Sequence, residues 1–387
     1  MIPNMRRFFY YLTLPHIDSS SFTLPRWLFF RFLGLIYLIA FTSYTMQVDG
    51  LIGSRGIVPA GEFLKLVAAQ FGPERLFYIP TIFWFFKGGF VFFAITGAIL
   101  ALLIIITKRA NVLFLSLLYM FYLSFQVISG PFLSFQWDIL LLEVGFAAIL
   151  LALAPSKPSL LLLWLILFKL MFLSGVVKLA SNDPNWRNLT ALSFHYETQP
   201  LPNIISWYIH QAPLWFHKIA TFGTFVMELV IPFLIFAPRL LRHLAAISLI
   251  GLQLFIALTG NYTFFNLLII ALCILLIEDK FWQKVLPVKL WQFVSKKALS
   301  SKTPYLISLY TKGISYILIT ANVLLLIAIF IQTPLITYPG NILLRLASPL
   351  RIVNHYGLFA RMTTVRDEII IEGSSDGETW LPYEFTY

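Results

Sequence analysis

Charge is scarce in this sequence. Asp, Glu, Lys and Arg make up 12% of its 387 residues, against roughly 25% in soluble domains, which excludes an ordinary soluble fold. Carboxylates are scarcer than cations, 17 against 28, giving a net charge of +11. Cysteine occurs once, at Cys273, inside an apolar run. An intramolecular disulfide and a Cys-x-x-Cys motif are therefore both excluded, and thiol–disulfide exchange by this chain alone goes with them. The sequence also lacks internal repeats and low-complexity tracts. No small-residue cleavage site follows a short apolar core near the N-terminus, so the first apolar segment reads as an uncleaved signal anchor.

What is present is hydrophobic: 59% of residues, gathered into runs near the ~20 residues that a spanning helix needs. The expected fold is an all-α polytopic membrane protein of about nine transmembrane helices, with a small, incomplete C-terminal β segment. The spans fall at about 27–46, 86–107, 111–128, 137–154, 159–179, 216–236, 241–258, 262–277 and 314–331. Residues 1–26 form a cytoplasmic or interfacial lead, 27–333 the multi-span domain and 334–387 an outer-side segment. In that last segment, Ile369, Ile370 and Ile371 precede an Asp-Gly turn, and Tyr383, Phe385 and Tyr387 alternate after Trp380, the pattern of a hairpin. Two strands alone are marginal in water, so the β part docks on the membrane domain or is completed by more chain or a partner.

The basic residues lie in short connections rather than in a patch, so they read as topology signals and headgroup contacts, not as a nucleic-acid surface. Arg6, Arg7, Arg26, Lys108, Arg109, Lys157, Arg239 and Arg242, then seven lysines from Lys280 to Lys312, fall on one side. The alternate loops hold only Arg55, Lys65, Arg75 and Arg187. This predicts a cytoplasmic N-terminus and a C-terminus on the outer side, in the ER lumen or the periplasm.

On that outer side, between two long apolar segments, lies a polar, aromatic, proline-ended stretch, WRNLTALSFHYETQPLP at 186–202. Charges within spans cost roughly 2.5–3.5 kcal/mol or more and normally pair inside the bundle. Asp138 marks the outer boundary of the fourth span, and Glu143 lies about 7–8 Å deeper at 1.5 Å per residue. Lys178 ends the fifth span, within expected reach of Asp138 or Glu143, while Lys169 lies mid-span. Two readings fit. In one, Asp138, Glu143 and Lys178 are interhelical ion pairs that fix packing. In the other, Glu143, Lys178 and His195 are candidate acid–base groups of an outward-facing site. The candidate binding residues are Arg55, Asp138, Arg187, His195, Glu197, Gln199, Asn261 and Tyr262. For His195 a loop-ordering hydrogen bond is the plainer account, and for Lys169 a structural pair.

Other patterns carry less. Gly50, Gly53 and Gly56 in GLIGSRG lack the strand–helix context of a phosphate loop and read as a tight turn aiming Arg55. His195-x-Glu197 lacks the cysteine pair of a zinc deaminase. His210 and His217 flank an interfacial Trp215 without a full ligand set. No metal and no cofactor is expected.

Several long blocks identify a family. They are GLIGSRGIVPA at 50–60, FQWDILLLEVGF at 135–146, LMFLSGVVKL at 170–179, HYETQPLP at 195–202, ELVIPFLIFAPR at 228–239, LTGNYTFFNLL at 258–268, RIVNHYGLFARMTT at 351–364 and IEGSSDGETWLPYEF at 371–385. In this order they make the chain resemble the lipase maturation factor family over nearly its whole length. The resemblance implies an integral ER membrane protein in animals, needed for dimeric lipases such as lipoprotein lipase to fold and assemble, with its main conserved region facing the lumen. In a bacterium the inner membrane takes the place of the ER. Family members usually continue past the YEF stretch. By architecture alone the family is also distantly similar to the membrane module of vitamin K-dependent carboxylase.

The expected function is that of a membrane-embedded, chaperone-like maturation factor acting on secreted proteins from the outer face. Its partners would be membrane lipids, client proteins such as lipases and a chain completing the β segment; nucleic acid is not among them. The alternative is a membrane enzyme using Glu143, Lys178 and His195 on a lipid-soluble or peptide substrate. A transporter fits less well, because Lys169, Glu228, Gln253 and Asn322 form no evident continuous path.

Overall fold

The computed structural model describes residues 19–107, 111–289, 292, 294, 303–331 and 342–384. Arg6, Arg7, Lys108, Arg109, Lys296, Lys297, Lys302, Phe385 and Tyr387, which entered the topology and hairpin expectations, lie outside them.

The protein is an all-α membrane bundle with one very small sheet. Among the described residues, six helices are long and apolar enough to cross a membrane. They are α1 (Thr23–Thr45), α4 (Gln136–Leu153), α5 (Lys157–Ala180), a broken helix over Leu214–Phe236, α8 (Arg239–Thr259) and α10 (Tyr305–Phe330). Three apolar helices are shorter: α2 (Phe90–Ile106), α3 (Val112–Ile128) and α9 (Phe265–Ile274). Helix α6 (Ala191–Thr198) lies in the connection after α5, and α7 (Leu214–Phe225) opens the broken helix.

Local chemistry sets the helix ends. Ser156 and Ser159 form a reciprocal capping box at the start of α5, satisfying amides that the helix itself leaves unpaired. Asn111 caps α3 by accepting from the Leu113 amide at 2.9 Å. The first amides of α1 are capped from far along the chain: the Asp279 carboxylate accepts from Thr23 N at 3.1 Å and Leu24 N at 2.8 Å. Helix α2 starts at Phe90, four residues later than its apolar run, because Gly88 and Gly89 adopt positive φ of 141° and 74°. The last long helix starts at Tyr305, nine residues before the expected span.

Helix α5 is the most enclosed of the six candidate spans and packs against α4, α10, α9 and the broken helix. One apolar core runs through the bundle, with a ring cluster of Tyr37, Phe41, Tyr122 and Phe125 at centroid distances of 5.6–6.4 Å. The chain after α10 returns to this core: Ala347, Val353 and Tyr356 are buried in it. Beyond it, β1 (Glu372–Gly373) pairs antiparallel with β2 (Leu381–Pro382), Glu372 opposite Pro382 and Gly373 opposite Leu381. The strands are two residues each and the isoleucine run before β1 is exposed.

Candidate functional site at the polar end of the bundle

The connection after α5 folds from its own caps. Asp183 accepts from the Asn185 amide at 2.8 Å and starts a short turn, Pro184–Arg187. Helix α6 follows and stops at Gln199, which is extended (ψ 152°) as the residue before a proline must be.

A hydrogen-bond relay then fixes His195. The Gln199 amide nitrogen donates to the Thr259 carbonyl at 2.7 Å, which orients the Gln199 oxygen toward Tyr262. The Tyr262 hydroxyl has one proton, which it donates to that oxygen at 3.1 Å. Its remaining contact, 3.2 Å from His195 Nε2, must then receive a proton from the ring. His195 is thereby the Nε2–H tautomer, with Nδ1 left as an acceptor. Burial, reinforced by the charge of Lys178, pushes the His195 pKa down to about 4. Burial also raises the Tyr262 hydroxyl pKa above its usual value. At neutral pH both are uncharged.

Lys178 lies beneath this loop. Its ammonium is 2.8 Å from both Glu228 oxygens, 3.2 Å from the Ser174 carbonyl and 5.2 Å from the Trp186 ring. Glu228 sits on a π-helical turn, Val226–Val230, inside the broken helix. Such one-turn bulges are frequent at functional positions. Gly175 lets that turn approach: a Cβ there would lie 2.6 Å from Leu229 Cδ2. Lys178 therefore pairs with Glu228, and neither Asp138 nor Glu143 is its partner. The physical reason is helical phase. Lys169 and Lys178 are nine residues apart, about two and a half turns at 3.6 residues per turn, so they leave opposite faces of α5.

Lys169 is the partner of Glu143, at 2.6 Å, with both side chains fully enclosed. It also donates to Asn322 of α10. The second Glu143 oxygen accepts from Tyr356 OH at 2.5 Å and Asn354 Nδ2 at 3.1 Å. The Glu143–Lys169 pair thus ties α4, α5 and the returning chain through the carboxylate and α10 through the ammonium, with both carboxylate oxygens satisfied. Asp138 forms a third system, accepting from Tyr122 OH at 2.6 Å. Its Oδ2 is buried without a partner among the described residues.

The returning chain is also stitched to the α6 loop. Trp186 Nε1 donates to the Phe359 carbonyl at 2.9 Å, the Met362 amide donates to Asp183 Oδ2 at 2.5 Å, Thr198 Oγ1 donates to the Thr363 carbonyl at 2.9 Å, and Arg366 donates to the Glu197 carbonyl at 3.3 Å. The Phe359 ring stands edge-on to His195 at 5.2 Å. Residues 182–202 and 359–366 accordingly form one surface.

Of the binding candidates, His195, Gln199 and Tyr262 come together and Glu197 lies on the same loop, 3.2 Å from His210. Arg187 is exposed and donates to Asn182. Asn261 caps its own turn through the Thr263 amide at 3.1 Å. Arg55 is exposed, without a hydrogen bond or ion pair among the described residues. It stands on the expected glycine turn, where Val58 N donates to the Leu51 carbonyl at 2.9 Å and a Cβ on Gly56 would lie 2.8 Å from Leu51 C. Lys169, Glu228, Asn322, Asn354 and Tyr356 belong to these networks but not to the candidate set. Their signal was available: Glu228 and Asn322 are polar groups inside apolar runs, and Asn354 and Tyr356 fall in RIVNHYG.

The lipase maturation factor transmembrane domain matches residues 24–284. This chain belongs to the lipase maturation factor family. Lipase maturation factor 2 of Xenopus laevis is 42% identical over 267 residues, covering 63% of this chain and 38% of the frog protein. Lipase maturation factor 2 of Rattus norvegicus is 32% identical, covering 95% of this chain and 69% of the rat protein. Lipase maturation factor 1 of Mus musculus is 30% identical, covering 95% and 70%. This member of the family therefore spans little over a third of the frog relative and about two thirds of the others. No solved structure matches it.

Proposed function

We propose that the protein is a membrane-embedded maturation factor that assists the folding or assembly of secreted lipases, in the ER of a eukaryote or the inner membrane of a bacterium, from the lumenal or periplasmic face. The observation that carries this reading is the composite surface in which the α6 loop and residues 359–366 are joined at one end of the bundle. Basic residues are few in the connections at that end, which favours an outer-side location. A rigid polar platform with exposed Arg187 and Glu197 suits transient contact with a partly folded chain. Residues 49–70 and the β1–β2 hairpin would extend the contact. The relatives' names supply the lipase class of client.

The test is alanine substitution of Arg187, His195 and Glu197, singly and together, with secreted lipase activity as the readout. The reading expects active lipase to fall while lipase synthesis and the membrane level of this protein hold. Unchanged activity in the triple variant at normal membrane level would reject this surface.

A further inference from the structure

A cleft of about 430 Å³ shares none of its lining residues with the His195 relay. Its walls are Tyr78, the last turn of α3 at Gln126, the turn Gly130–Ser134, and the chain at Ser348–Arg351. Arg351 is its chemical centre. It follows a one-turn 3-10 helix, Ser348–Leu350, and takes a left-handed backbone (φ 54°, ψ 32°) that turns the side chain out of the helical path. Its Nε donates to Gln126 Oε1 at 3.1 Å, and Gln126 is itself 5% exposed.

A guanidinium has five N–H donors in a fixed fork. One is used by Gln126, and the terminal nitrogens have no partner among the described residues. No residue lining the cleft is acidic. Burial lowers the Arg351 pKa and no carboxylate offsets it. A cation that is half-buried, held in place by a buried amide and left without an anion calls for one. Tyr78 and Ile79 give the cleft an apolar lip, and the segment leading up to it in sequence is exposed, with Leu76, Phe77 and Tyr78 at 50%, 48% and 42%. An oxyanion attached to an apolar chain fits a cationic floor behind such a lip, where a free ion would leave the lip bare.

We propose that this cleft binds the phosphodiester of an anionic phospholipid headgroup, with Arg351 as the anion ligand and Gln126 as its positioning residue.

The experiment uses the full chain purified in detergent and measures retained lipid by native mass spectrometry, with phosphatidylglycerol and phosphatidylcholine as probes. The wild type is expected to retain phosphatidylglycerol in preference to phosphatidylcholine. Arg351→Gln should weaken phosphatidylglycerol retention about tenfold or more, the scale of a lost charge-assisted pair, and Arg351→Lys should recover part of it. If Arg351→Gln does not fold, Ser134→Glu gives the same reading, because it sets a carboxylate on the exposed rim without touching the Arg351–Gln126 bond. Equal retention of both lipids, unaffected by either variant, overturns the proposal. Inorganic phosphate is the control for the lipid source. A rise in melting temperature with phosphate, abolished in Arg351→Gln and accompanied by no lipid retention, would overturn the lipid assignment and make the site one for a soluble anion.

Discussion

Lys169 and Lys178 leave one helix in opposite directions, and each ends on its own buried carboxylate, Glu143 and Glu228 respectively. Helix α5 is therefore clamped on two faces by two separate charge pairs. The four residues of these pairs do different work. The Glu143 pair closes the interior between α4, α10 and the returning chain. The Glu228 pair supports the floor of the α6 loop.

Breaking the inner pair on one side leaves a buried charge. Lys169→Met is expected to destabilise the protein by about 3–5 kcal/mol, read as a loss of melting temperature in detergent. Adding Glu143→Gln should restore part of that loss, because the orphaned carboxylate is gone. A double variant as unstable as the sum of the singles would show that the two side chains are not coupled.

Tyr356→Phe removes one hydroxyl from the second Glu143 oxygen and leaves the ring in place. The expected cost is about 1–3 kcal/mol, concentrated in the returning chain. Limited proteolysis should cut within residues 342–366 faster than in the wild type, with the helical bundle uncut. An unchanged rate in that segment would mean that Asn354 alone holds it.

Trp186→Phe keeps an aromatic face for Lys178 but removes the donor to the Phe359 carbonyl. Amide exchange of residues 359–366 should quicken by about fivefold, the equivalent of about 1 kcal/mol. Exchange within α5 should not change. Faster exchange throughout α5 would show instead that Trp186 acts by supporting Lys178.

His195 makes stability depend on pH. Its folded pKa of about 4 lies below the ordinary value of ~6.5, so between these values the unfolded chain binds the extra proton. Its contribution is full above pH ~6.5 and is lost as pH falls toward 4, at a slope of at most about 1.4 kcal/mol per pH unit. Because burial also lowers the pKa of His355, the readout is the difference between wild type and His195→Gln across pH 4–7. The variant should show the shallower slope. Equal slopes would place the pH dependence elsewhere.

The apolar runs announced the helical membrane architecture, and blocks such as HYETQPLP announced the family, because both are properties of contiguous residues. The approximate place of the polar loop was readable too. The pairing of charges was not. Depth along neighbouring helices groups Asp138, Glu143 and Lys178, but depth is only one of two coordinates. The other is angular phase, which separates Lys169 from Lys178 and sends them to different helices. The partner of Lys178 depended further on a π-helical turn at Val226–Val230, for which the sequence has no clear local mark. The two strands fall at the expected hairpin, and the Ile371 carbonyl extends it by accepting from the Tyr383 amide at 2.8 Å; the alternation at Phe385 and Tyr387 lies outside the described residues. The return of the chain through Asn354 and Tyr356 was hidden because its contacts are more than 200 positions away in sequence.

That distance has a temporal side. Glu143 leaves the ribosome 213 residues before Tyr356, and chains are made from the N-terminus onward. For that interval its second oxygen has neither of its final donors. The membrane helices can insert in the meantime, but this carboxylate acquires its last partners only after synthesis has passed the final long helix and the following chain has folded back. The inner acid is sealed from the C-terminal side, when Asn354 and Tyr356 reach it.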